Sequence, residues 1–245
     1  MFKLFLVELI KIKRSQALLM TLLCPLSVVL LQLMIVVEGA GEKISEKGWE
    51  MYWLGATSLW YMLMLPLYIA LITTLINAIE HKNSGWRYMA TMPTPQWKLF
   101  IVKAFVAWLF VILASIVMYF LTGLSISFMM LIGYQGNDAF ESPFLYHLLS
   151  ISITCLPILL IGHVVSWRWK NVVIPLGVGI VMTMSAMTLV NSEQYWRYDP
   201  WTYHMTSTMV KNALVQAEAK TLSLLLGGVV FIFGAVWLGR REVLA

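Results

Sequence analysis

Ser15-Gln-Ala-Leu-Leu-Met-Thr-Leu-Leu-Cys-Pro-Leu-Ser-Val-Val-Leu-Leu-Gln-Leu-Met-Ile-Val-Val37 runs for 23 residues without one Asp, Glu, Lys or Arg. A helix of about 20 apolar residues crosses a hydrocarbon core roughly 30 Å thick, so this stretch is long enough to span a bilayer. A barrel strand would alternate polar and apolar side chains, and residues 28–37 show no alternation. Five more charge-free stretches follow, at 51–79, 104–137, 142–167, 171–192 and 221–239. With 12% charged residues in 245, the chain holds about half the charge of a soluble domain. The pattern predicts an all-α polytopic membrane protein with six transmembrane helices, at 15–37, 54–79, 104–122, 145–167, 171–190 and 221–239.

The 104–137 stretch admits two readings. Its 34 residues are long for one perpendicular span, yet two spans with a turn need more than about 40. One span with 123–134 as a tilted or interfacial continuation fits the length best, with two short spans as the alternative. Basic residues set the orientation. With both termini cytoplasmic, Lys3, Lys11, Lys13, Arg14, Lys82, Arg87, Lys98, Lys103, Arg168, Lys170, Arg240 and Arg241 lie inside. Lys43, Lys47, Arg197, Lys211 and Lys220 remain outside. The formal net charge of +5 is therefore a topology signal and implies no nucleic-acid partner.

Residues 1–14 place Phe2, Phe5, Leu9 and Ile12 on one helical face and Lys3, Lys11 and Arg14 on the other. That predicts an interfacial amphipathic helix with its apolar side in lipid and its cations towards anionic headgroups. No small-residue cleavage site follows the first apolar run, so the first span is expected to act as its own insertion signal. Trp53, Trp60 and Tyr61 read as interface anchors at the start of the second span. Residues 191–220 form the largest external segment.

Several chemistries find no support. The chain lacks G-x-x-x-x-G-K-[ST], H-E-x-x-H and G-x-S-x-G, the signatures of phosphate-cradling loops, metalloproteases and serine hydrolases. No acidic residue lies in the middle of a predicted span, where a proton-driven transporter usually keeps one. His163 reads as a hydrogen-bonded packing residue, and Cys24 and Cys155 as small apolar ones. Met182 and Met184 do not share a helix face, so the methionines suggest no copper site. We expect no catalytic residue, no metal and no cofactor in this chain.

Residues 80–103, E-H-K-N-S-G-W-R-Y-M-A-T-M-P-T-P-Q-W-K-L-F-I-V-K, join two spans on the cytoplasmic side. Gly85 permits a sharp entry, and Pro93 and Pro95 stop any helix before the next span. The stretch reads either as a short amphipathic helix over 83–92, lying along the membrane, or as a basic loop anchored by interfacial aromatics.

The order of basic amphipathic helix, span, acidic external loop, span, Glu80…Trp86-Arg87…Pro93…Lys103 and span resembles the ABC-2-type permease subunits of ABC transporters. Within them it looks most like the compact subgroup associated with lantibiotic and bacteriocin immunity or export. The resemblance implies a coupling helix within 80–98 that docks on a separate ATPase subunit, with Glu80, Trp86, Arg87 and Tyr88 as contact residues. It also implies two ATPase copies that bind the ATP and Mg, and a second permease, identical or homologous, pairing through the first and fifth spans. The expected setting is a bacterial cytoplasmic membrane. The uncharged spans suggest a hydrophobic or amphipathic cargo, such as a peptide antibiotic, lipid-like compound or drug, with Met184 and Met187 lining its path. The alternatives are a membrane-embedded enzyme of lipid or isoprenoid metabolism, which would need clustered acids or histidines, and an immunity protein that binds a peptide without transport.

Overall fold

The computed structural model describes residues 1–13, 15–40, 49–81, 95–134, 138–141 and 144–239. Regular structure among them is helical throughout. Helix α1 spans Phe2–Lys13 and α2 Ala17–Ile35, the latter running on as a wider π-turn at Val36–Ala40. Helix α3 covers Trp49–His81 and α4 Gln96–Leu131. Helices α5 (Phe144–Thr154) and α6 (Leu156–Arg168) form a bent pair, followed by α7 (Val173–Leu189), the short α8 (Tyr203–Met209) and α9 (Ala213–Gly239). Four segments are long and apolar enough to cross a membrane: Ala17–Glu38, Trp49–His81, Gln96–Leu131 and Ala213–Trp237. The bent pair supplies a fifth. The remaining expected span is α7, whose 17 residues reach about 26 Å.

Helix α4 is uninterrupted over 36 residues, so Gly123 does not divide it, and the segment after residue 122 continues the same rod. The stretch expected as one helix over 145–167 is instead bent by 44° beside Cys155. Pro157 explains the bend: it has no N–H for the carbonyl of Ile153, and its ring crowds the preceding turn.

Helix α3 is the hub. Trp53, Trp60 and Tyr61, expected as interface anchors, are buried inside the bundle. Tyr52 bonds Ser125 at 2.7 Å, Trp60 donates to Ser115 at 3.4 Å, and Tyr61 meets the hydroxyl of Tyr119 at 2.6 Å. These partners lie along α4, so the aromatic groups act as polar rungs between two apolar helices. Lower down, the hydroxyl of Tyr68 lies 2.8 Å from that of Thr21 on α2 and donates to the carbonyl of Phe110 at 3.3 Å. Between helices in lipid, apolar area gives little drive and such hydrogen bonds add what specificity they can. Close backbone approach supplies the rest. A β-carbon on Gly179 of α7 would fall 2.4 Å from Ala70 Cβ on α3, and one on Gly234 of α9 only 2.6 Å from the Phe100 ring.

The expected external segment 191–220 is more ordered than a surface loop. Short 3₁₀ turns at Tyr195–Tyr198 and Pro200–Thr202 lead into α8, and residues 201–207 are all buried. Their seat has a local cause. At the π-turn Trp60–Met64, Leu65 N–H bonds the carbonyl of Trp60. The next donor in that wider pitch would be Pro66, which has no hydrogen to give. The Tyr61 carbonyl is left open, and His204 Nε2–H donates to it at 2.9 Å. Trp201 lines an apolar crevice together with Pro66, Ile69, Ile158 and Pro175.

Candidate functional site

Helix α3 ends at His81, one residue after Glu80, and α4 begins at Gln96, two turns before Lys103. Glu80, at the last turn of α3, and Lys103, two turns into α4, are joined in the structure. Lys103 is fully buried, and its ammonium donates to Glu8 Oε2 at 2.6 Å, Glu80 Oε1 at 3.3 Å and the Ile76 carbonyl at 3.4 Å. Lys11 donates to Glu8 Oε1 at 2.8 Å and to Glu80 Oε1 at 2.7 Å. The four charges close a ring, Lys103–Glu8–Lys11–Glu80, in which signs alternate and the sum is zero. Burying one such ion alone costs several kcal/mol. Only the closed ring makes the burial tolerable, since each carboxylate meets two ammonium groups. Around Lys11 burial disfavours the charged amine, but the bonds to Glu8 and Glu80 outweigh it and raise its pKa above the ordinary lysine value.

Each member is placed by helical register. Glu8 and Ile12 lie on the buried face of α1, with Phe5 against Phe105 of α4 at 5.7 Å. This reverses the expectation for α1: Phe5, Leu9 and Ile12 pack on the protein, whereas Phe2, Leu6, Val7 and Ile10 face outward. Glu80, expected as a contact for an ATPase, is turned inward and only 5% exposed. Trp86, Arg87 and Tyr88, and the proposed helix over 83–92, lie outside the described residues. Met184 stands exposed on α7, while Met187 packs partly against the core.

Beside it, a neutral network backs the ring. Phe100 precedes Lys103 by one turn of α4, and its carbonyl lies 3.2 Å from His163 Nε2. A carbonyl only accepts, so Nε2 carries the proton and Nδ1 accepts from Asn77 Nδ2 at 2.9 Å. Asn77 Nδ2 also donates to Ser166 Oγ at 2.7 Å. His163 is thus a buried, satisfied imidazole, as expected, with the Phe100 ring 4.8 Å from its own and the Trp167 ring 5.6 Å away. Ring and network together bind α1, the end of α3, the start of α4 and the end of α6 into one block. Among the described residues, no three of His, Cys, Asp or Glu gather as a metal site.

The ring was not legible as a unit. Lys11 and Lys103 read in sequence as cytoplasmic flanking charges, and Glu8, an acid on the inner flank of the first span, was not singled out.

Compared with known proteins, residues 4–186 match the family described as ABC-2 family transporter protein. No curated protein matches. No solved structure matches either.

Proposed function

From the chain's membership in the ABC-2 transporter family, we propose that it is the permease subunit of an ABC transporter that moves a hydrophobic or amphipathic substrate. The family match over residues 4–186 carries this reading. Membership makes the chain a multi-pass membrane component that works with an ABC ATPase subunit. The finer reading is a transporter of a bacterial cytoplasmic membrane, with two ATPase copies holding ATP and Mg and a second permease, identical or homologous. The subgroup is that of lantibiotic or bacteriocin immunity and export.

Two observations support the mechanism. Glu80 at the end of α3 and Lys103 near the start of α4 belong to one block that reaches four helices, so a push delivered to the end of either helix is passed to the others. The outward faces of α2 and α7, with Leu22, Leu30, Ile180 and Val181 exposed, are apolar and fit a second permease or the lipid around it. Trp86, Arg87 and Tyr88 are the contacts for the ATPase. Glu80 contributes by holding the end of α3. Met184 is the better placed of the two methionines to meet cargo.

Replacing Trp86 and Arg87 together by Ala tests the reading. Interface Trp and Arg often cost about 2 kcal/mol or more when truncated. The double variant should insert normally but lose ATPase co-purification, or hydrolyse ATP without moving substrate. Wild-type co-purification and efflux in that variant would remove the coupling role.

A further inference from the structure

The ion-pair ring occupies one face of α1, and among the described residues nothing packs on the opposite face. Phe2 and Ile10 are 72% and 63% exposed, with Leu6 and Val7 beside them. Phe2, Leu6 and Ile10 stand four residues apart and form one stripe. Lys3 and Lys13 are exposed on the same side. An apolar stripe bordered by ammonium groups fits a leaflet rich in anionic lipid, with side chains in the acyl boundary and cations at the headgroups. Trp97 and Trp169, at the same end of the bundle, are also exposed, and exposed tryptophans mark the headgroup level.

We infer that the anionic lipid content of the leaflet around α1 regulates ATPase coupling at the junction of α3 and α4, with Glu8 as the link. The inference rests on the permease reading. Lipid holds the outer face of α1 at one depth and rotation. The inner face then holds the Glu8 carboxylate at Lys103, to which it makes that ammonium's shortest bond. Where the outer face loses its seat, Glu8 withdraws, Lys103 keeps only Glu80 as a charged partner, and the junction of α3 and α4 slackens. Lipid and ATPase therefore act on the same buried ammonium from opposite directions.

The experiment places the purified transporter with its ABC ATPase in vesicles of phosphatidylcholine, with or without phosphatidylglycerol, and measures cargo-stimulated ATP hydrolysis. Phosphatidylglycerol should raise the stimulation. Lys3→Gln with Lys13→Gln should leave stimulation in phosphatidylcholine unchanged. It should also raise the phosphatidylglycerol needed for half the effect by about five-fold per charge removed. Glu8→Gln should make hydrolysis indifferent to phosphatidylglycerol. Should that variant fail to fold, the lysine pair carries the test alone. Equal stimulation in both vesicles, or a lipid effect unchanged in the lysine variant, overturns the inference. Absence of stimulation in every vesicle overturns the permease reading instead.

Discussion

Lys103 Nζ lies 2.6 Å from Glu8 Oε2, although the residues are 95 positions apart and neither is reachable by solvent. Removing one partner of such a pair strands a buried charge, which costs about 3–5 kcal/mol. Lys103→Met should lower stability by that amount. Adding Glu8→Gln should recover part of the loss, because Lys11 and Glu80 then remain as a neutral pair. A double-mutant cycle by thermal unfolding in detergent reads this directly, and strictly additive losses would show that the contact carries no coupling energy.

Helices α3 and α7 meet where Gly179 faces Ala70. Valine at position 179 would force the helices apart, since even a β-carbon falls 2.4 Å from Ala70 Cβ. Overpacking of this kind costs about 1–3 kcal/mol. Gly179→Val should lower the midpoint of thermal unfolding, and pairing Gly179→Ala with Ala70→Gly should restore it.

Burial holds the His204 imidazole neutral and pushes its pKa down to about 4. The unfolded or undocked histidine titrates near 6.5, so between those values the undocked state binds the extra proton. Seating of residues 195–209 is therefore strongest above about pH 6.5 and weakens as pH falls towards 4. A cysteine introduced at Ser207, which is fully buried, should react slowly with maleimide at pH 7.5 and faster at pH 5.5, after correction for intrinsic thiol reactivity. In His204→Gln, which keeps a donor without the titration, the remaining pH dependence should be flat.

Membrane orientation gives a fourth expectation. Cysteines at Lys43 and Lys211 should react with impermeant reagents from outside the cell, and those at Lys82 and Lys170 should not. Labelling of position 170 from outside would invert the arrangement of the later helices.

The long helices were legible because hydropathy reports on lipid, and lipid is the same solvent along every span. Interior contacts were not, because they depend on which faces meet. Trp53, Trp60 and Tyr61 have the composition of an interface belt and the positions of interior rungs, a distinction made only by α4 lying opposite. Phe5 and Ile12 were recognised as one face of α1, but periodicity does not say whether protein or lipid covers it. Glu80 was singled out by the family resemblance, as a contact for the ATPase, and its burial follows from two lysines, at positions 11 and 103, that come together only in the folded chain. Pro157 and Pro66 were not singled out in the sequence, although their effects, a bend and an open carbonyl, are local backbone chemistry.

The open carbonyl at Tyr61 has a bearing on how the chain is made. Its partner, His204, comes 143 residues later, so during synthesis the second span enters lipid with one acceptor unmet. An unpaired backbone group in hydrocarbon costs several kcal/mol, and until the later segment emerges the nascent protein must meet that need with water or lipid headgroups. Assembly of the outer half is thus ordered in time: the ribosome has to deliver residue 204 before the second helix is chemically complete.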